Sequence, residues 1–332
     1  PYGPARILGT ERNLGLALSD TPTQLVVATY DPGHLFVERS AKEENFLTGE
    51  LALVSDLTEA VLDFVPTGVV VSGNQQWAYV SDDEGRLHAF ELPGLIAGPV
   101  IQVSTSGISA LKPLLGGTSV LAGDTQGDIH QLFPVRNGQG RAEIRKIRSF
   151  PGHGASVVDI LPEIRRKGFA VIDANGRLSV YHSTSERLAL TQELKSGIPR
   201  SVAWSPRSDG LLLLNDEAEI ALVRVKNRHS DVSLKSLWRK VWYENYDEPA
   251  YVWQSIAGTN DFEPKFSLTP LAFGTLKAAL FAMLFAIPLA LLGATYTAYF
   301  MAPQMRQIVK PTIEVMAALP TVILGFLAGL WL

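Results

Sequence analysis

The last 62 residues, Leu271 to Leu332, hold only four charged side chains, Lys277, Arg306, Lys310 and Glu314. They follow some 260 residues with the turn-rich, mixed composition of a water-soluble β domain. A chain of this kind must satisfy two solvents. The tail carries +2 of charge, which leaves −6 on everything before it. Neither value suits nucleic acid, which calls for a clustered basic face. The 332 residues are enough for two domains, and with no cysteine there is neither a disulfide scaffold nor a thiolate metal site.

From Ala278 to Phe300 run 23 uncharged residues, AALFAMLFAIPLALLGATYTAYF. At about 1.5 Å per residue a helix of that length exceeds the roughly 30 Å hydrocarbon layer. Pro288 predicts a kink, and it and Gly293 are tolerated in membrane helices. A first membrane helix is expected over 271–300. A second uncharged stretch, Val315 to Leu332, predicts another helix from about 313, with Gly325 and Gly329 on one face for close packing. The alternative for both stretches is a buried helix of a soluble protein. Met301 to Glu314 reads as a short polar connection, and its Arg306 and Lys310 place it on the cytoplasmic side by the positive-inside bias. That topology puts residues 1 to about 262 outside an inner membrane. Glu314, four residues after Lys310, is a loop-proximal ion pair or solvated carboxylate, or else a polar contact that fixes helix packing or a partner subunit. The start at Pro1 and the stop at Leu332 inside an apolar run lead us to expect the middle part of a longer polypeptide, its second helix truncated.

Ahead of residue 262 a pattern recurs: YDPGHLFVERS, SDDEGRLHAFELPG, GDTQGDIHQLFPVR, IDANGRLSVYHSTS and LNDEAEIALVRVKN. Each is an Asp/Asn/Gly turn followed by a strand, and an apolar strand precedes each turn. The Asp or Asn can bond its own backbone while Gly takes a positive φ. Aligning Leu35, Leu87, Ile129, Leu178 and Ile220 gives spacings of 52, 42, 49 and 42 residues, the blade length of a β-propeller. The expected fold is therefore mainly β, a propeller-like domain of about six or seven blades over 1–236, incomplete here, followed by transmembrane α-helices. A β-sandwich is the competing architecture. Ser55 to Phe64 reads as an inserted helix or as outer strands of a blade. Trp204, in SVAWSPRSDG, matches the apolar strand and Ser-Pro turn of propellers.

Polar residues offer no converging constellation. His88 and His130 fall in the same register of successive repeats, which favours blade packing over a shared metal site. His34, His153, His182 and His229 show no ligand spacing. Gly9-Thr10 and Gly116-Gly117 belong to no phosphate loop. Asp82, Asp83 and Glu84 are a solvated turn or a cation site. Arg165, Arg166 and Lys167 are a solvent loop or a contact for an acidic partner or headgroup. No cofactor and no metal is expected, and no pair of carboxylates is privileged for catalysis.

The segment 237–269 differs in kind. It gathers Trp238, Trp242, Tyr243, Tyr246, Tyr251 and Trp253 immediately before the apolar run, half of the six tryptophans within sixteen residues. Such rings favour a membrane interface, so the segment reads as an interfacial collar; a final propeller strand is the alternative.

Phe262 to Phe326 resembles the permease subunits of the bacterial phosphate ABC importer. The resemblance rests on Gly274-Thr275-Leu276-Lys277, Pro288-Leu289-Ala290, Lys310-Pro311 with Ile313-Glu314, Pro320-Thr321-Val322 and Gly325-Phe326. It implies a multi-pass inner-membrane subunit that contributes half of a phosphate pathway and performs no covalent chemistry. The implied partners are a second permease subunit, cytoplasmic ATPase subunits, a periplasmic phosphate-binding protein and the lipid bilayer. Lys277, Pro288, Pro320 and Gly325 would shape or pack the pathway helices, and Arg306, Lys310 and Glu314 would lie on the cytoplasmic flank. The alternative function is a membrane-anchored propeller that senses or docks a periplasmic protein partner. A third reading, an extracytoplasmic enzyme on a propeller scaffold, has no residues to carry it.

Overall fold

The computed structural model describes residues 14–18, 24–44, 49, 51–140, 142–195, 197–226, 229–256 and 263–331. Gly9, Thr10, Phe262 and Leu332, singled out from the sequence, lie outside the described residues. The chain divides into two compact units, Pro1–Pro270 and Leu271–Leu332.

The first unit is built of five successive antiparallel meanders. Blade 1 comprises β1 (Leu14–Leu18), β2 (Gln24–Asp31), β3 (His34–Glu44) and β4 (Leu51–Val61). Blade 2 comprises β5 (Pro66–Val71), β6 (Trp77–Asp82), β7 (Arg86–Glu91) and β8 (Ile96–Gln102). Blade 3 comprises β9 (Ile108–Pro113), β10 (Val120–Asp124), β11 (Ile129–Arg136) and β12 (Ala142–Phe150). Blade 4 comprises β13 (Val157–Pro162), β14 (Gly168–Asp173), β15 (Arg177–His182) and β16 (Arg187–Glu193). Blade 5 has three strands, β17 (Ser201–Trp204), β18 (Gly210–Leu214) and β19 (Ile220–Arg224). The first strands touch in series, β1 on β5, β5 on β9, β9 on β13 and β13 on β17, as inner strands of propeller blades do. The fold is thus mainly β and propeller-like, as the repeat spacing requires. The segment from Ser55 is strand, the outer edge of blade 1.

The second strands of blades 2 to 4 are buried on both faces because a blade lies on each side of them. That is why WAYVS, SVLAG and GFAVID read as continuous apolar runs. Four apolar cores join blade 1 to 2, 2 to 3, 3 to 4 and 4 to 5. The turns follow one rule. Asp82 Oδ1 accepts from the backbone N–H groups of Glu84 and Arg86, Asp124 Oδ1 from those of Gln126 and Asp128, and Asp173 Oδ1 from those of Asn175 and Arg177. Gly127 closes its turn at φ +95°; the blade 5 turn puts Ala218 at φ +61° in the equivalent place.

In the second unit, α2 (Thr269–Thr295) continues through Pro288 into a π-helical turn, Tyr296–Phe300, giving 32 residues long and apolar enough to cross a bilayer. The expected polar connection is instead helical: α3 runs Pro303–Ala318 with Pro303 in its first turn, where a missing N–H costs nothing. The expected second helix is interrupted. Leu319 is extended at φ −71°, ψ 138°, and α4 (Thr321–Trp331) leaves α3 at 95°. Pro320 explains the break, since its ring disfavours a helical residue before it.

Candidate functional site

A buried polar network forms where the aromatic segment meets blades 3 and 4. The segment enters through a short helix, α1 (Leu234–Trp238), whose capping box pairs Ser233 and Ser236. Ser233 Oγ also donates to the Ser185 carbonyl in blade 4 at 3.0 Å. Beyond α1 the chain folds back on itself. Val241 pairs with Ala250, and β20 (Trp253–Gln254) pairs with β21 (Lys265–Phe266).

At the tip of this fold Glu244 is buried. Its Oε2 accepts from Lys167 Nζ at 2.6 Å and its Oε1 from Ser119 Oγ at 2.5 Å, while Lys167 also donates to the Leu115 carbonyl at 2.6 Å. The network extends through blade side chains. Gln131 Nε2 donates to Ser119 Oγ at 2.8 Å, and Gln131 Oε1 accepts from Ser183 Oγ at 2.7 Å. Arg148, buried in blade 3, donates to the Trp242 carbonyl. Glu263 Oε2 accepts from the Glu244 N–H at 2.8 Å, and Thr184 donates to its other oxygen. Lys265 Nζ lies 5.6 Å from the centres of both the Tyr243 and Tyr246 rings. Burial pushes the Glu244 carboxyl upward and Lys167 opposes it. Burial lowers Lys265, offset by Glu263 and Glu244. In both groups burial outweighs the partners, which offset the cost of withdrawing charge from water only in part.

Two further titratable groups sit in blade 4. Glu163 has no hydrogen bond to either carboxylate oxygen among the described residues, with Arg166 Nε 3.6 Å away. Burial pushes its pKa up to about 7, against the pull of Arg166. Burial, with Arg166 and Arg148 adding to it, pushes His182 down to about 3, so its ring is neutral.

The aromatic residues divide between two environments. Tyr243 is buried, and Trp242 packs edge-on against Phe133 at 6.4 Å while its Nε1 donates to the Tyr246 carbonyl. Trp238, Tyr251 and Trp253 are exposed. The Arg165–Lys167 cluster divides as well: Lys167 is spent on Glu244 and Arg166 lies beside Glu163. Asp82 is not open to a cation. Burial alone would raise its pKa, but hydrogen bonds from His88 and Arg86 outweigh it and hold the carboxyl low. His88 and His130 both face the turn aspartate of their own blade, at 2.9 and 3.4 Å. Among the described residues no three His, Asp or Glu side chains cluster to hold a metal. A cavity of about 210 Å³ between blades 1 and 2 is lined by Gln24, Arg39, Asp56 and Asn74.

In the second unit Lys277 and Pro288 lie on α2, both exposed. Pro320 makes the break, and Gly325 on α4 has open space around it. Arg306, Lys310 and Glu314 follow one another at four-residue steps on α3. Arg306 Nη2 donates to the carbonyls of Ala298 and Met301, at 2.8 and 3.3 Å, at the end of the preceding helix. Glu244, Ser119, Gln131, Arg148 and Glu263 were invisible as a set in the sequence, since Ser119 and Glu244 lie 125 positions apart.

No family model matches the chain, and no curated protein sequence matches it. The resemblance of Phe262 to Phe326 to phosphate-importer permeases is therefore corrected, and the chain is not placed in that family. Among the described residues one helix is long and apolar enough to span, or two if the bent pair α3–α4 is one span. Apolar segments draw on few residue types, so short Gly, Pro and Leu motifs recur in them without kinship. Among solved structures the chain is similar to the β-propeller domain of Cps50 (Swd1) from Myceliophteria thermophila. The TM-score is 0.47 and the identity 13%, over 64% of this chain and 84% of that one.

Proposed function

We propose that this chain is a membrane-anchored β-propeller docking module. Its blades present a binding surface for a protein partner, and its apolar helix holds them at a bilayer. The observation that supports this reading is the buried clamp of Lys167, Arg148 and Ser119 on the segment that runs directly into α2. A flexible tether would need no such clamp, because polar linkers span by chain statistics alone. Ordering the described part of this segment costs conformational entropy, which the buried contacts of Tyr243, Trp242 and Glu244 offset. Arg306 and Lys310, just past α2, favour a cytoplasmic position for α3 and hence a blade domain on the opposite side.

The experiment has two arms. The chain should float with liposomes and resist alkaline extraction, and truncation after Ser267 should abolish both. A photo-crosslinker placed at the exposed positions Ile96, Val100 and Leu188 in native membranes should give a discrete protein adduct at one of them. A chain that remains soluble, or adducts at none of the three, would sink the proposal.

A further inference from the structure

Leu35, Leu87, Ile129, Leu178 and Ile220 occupy one position in five successive blades, near the head of the third strand. The first four pack against the blade that follows, and none is more than 1% exposed. Ile220 is 69% exposed. Its neighbours on that face agree. Leu212 pairs with Leu222 and Leu214 with Ile220, and Leu212 and Leu222 are exposed, whereas Leu211 and Leu213 on the opposite face are buried against blade 4. Blade 5 also lacks the fourth strand that blades 1 to 4 have, so the outer backbone edge of β19 has no strand beside it among the described residues.

Blade 1 shows the reverse. Val26, Ala28, Leu35 and Val37 face blade 2 and are buried, while Leu25 and Val27 on the other face of β2 are only half-buried, where the second strand of blade 2 is buried on both faces. Among the described residues five blades are joined by four cores; a closed ring of five would have five. Apolar patches of this kind on a soluble surface mark a place for a partner.

We infer that this gap is filled by one or more further β-meanders of the same design that precede Leu14 in the full polypeptide. The repeat identifies the occupant. What covers Leu87, Ile129 and Leu178 is in each case the neighbouring blade, so the element that fits Ile220 is a blade. The open side of blade 1 is the side every later blade turns toward its predecessor in the chain. A blade ahead of β1 in sequence meets that side, and closure of the ring brings its series against blade 5. By this chain's own spacing such a blade needs more than forty residues.

The test uses the purified full-length gene product carrying the single cysteine Ile220→Cys in a background free of other cysteines. Val100→Cys, on the exposed outer strand of blade 2, is the control. Maleimide labelling at 220 should be slower than at 100 by at least about 100-fold in the dilute monomer. Labelling at the control rate overturns the inference. So does protection that appears only on concentrating the protein, which would indicate a second copy, or only on adding a partner. If the cysteine variant does not fold, hydroxyl-radical footprinting of the unaltered full-length protein serves instead: Leu212, Ile220 and Leu222 should resist oxidation, and oxidation at the rate of exposed Val100 would refute the closing blade.

Discussion

Lys167 Nζ and the Glu244 carboxylate meet at 2.6 Å, 77 positions apart in sequence and both shut away from water. Lys167→Met leaves a buried carboxylate facing Ser119 and Glu263 without its cation. It should cost about 3–5 kcal/mol, read by urea unfolding of the detergent-solubilised chain. A second change, Glu244→Leu, in the Lys167→Met background should restore part of that stability, because the uncompensated charge is gone. An unaltered unfolding midpoint in Lys167→Met would mean that the pair does not hold the segment.

Glu163 gives the fold a pH dependence of definite sign. Its folded pKa of about 7 exceeds the ordinary 4.5, so the folded chain keeps this proton longer than the unfolded chain. Stability from this group is fully present below about pH 4.5 and is lost as pH rises through 7. Glu163→Gln should therefore gain up to about 3 kcal/mol over the parent at pH 8 and little at pH 4.5. His182 acts oppositely: with a folded pKa of about 3 against 6.5, it withdraws stability as pH falls below 6.5. The acid-side slope remaining in Glu163→Gln should become shallower in a variant that also carries His182→Gln, the rest coming from carboxylates such as Asp82 and Asp124 whose pKa is held low. Equal pH profiles for parent and Glu163→Gln would contradict this account.

The turn of blade 5 is strained where those of blades 2 to 4 are not. Ala218 holds φ +61°, which a side chain disfavours, so Ala218→Gly should stabilise the domain by roughly 0.5–1 kcal/mol even after the entropy that glycine adds to the unfolded chain. A small rise in melting temperature would be the signature.

Asp124 does more than cap a turn. Its Oδ1 takes two backbone N–H groups and its Oδ2 accepts from Ser104 Oγ at 2.6 Å, so one carboxylate ties the blade 3 turn to the loop after blade 2. Asp124→Ala should cost about 2–4 kcal/mol. Asp124→Asn, which keeps acceptor capacity at one atom, should cost less.

The exposed tryptophans offer an optical check on the collar. With brominated lipids, quenching should fall mainly on Trp238 and Trp253, while Trp242, half-buried against Phe133, stays bright. Variants holding a single tryptophan separate the three signals, and equal quenching would remove the distinction.

Much of the blade domain was legible because propeller blades repeat locally. The aligned positions 35, 87, 129, 178 and 220 all lie in third strands, and each Asp or Asn turn falls between the second and third strands. Such features are set within about twenty residues, where side-chain alternation and turn chemistry operate. The clamp was not legible, since Ser119, Arg148, Lys167 and Glu244 are ordinary surface residues until folding stacks blades 3 and 4 under the segment. The helix at Pro303–Ala318 was missed because its polar residues suggested a loop, although Ile308, Thr312 and Val315 recur at helical spacing. The break at Pro320 follows from a local rule, yet the apolar composition around it outweighed that rule in the reading of a second span.

The succession of meanders also sets an order of assembly. Each strand pairs with the one just made, and each core joins blades adjacent in sequence, so the domain can condense stepwise while the chain is still emerging from the ribosome. The segment after blade 5 is the exception, since Trp242, Glu244 and Glu263 find partners 77 to 125 positions back. The arrival of Glu244 tests whether blades 3 and 4 are already in place, only some twenty-five residues before α2 is made. The joint can therefore close only after the blades it fastens have formed.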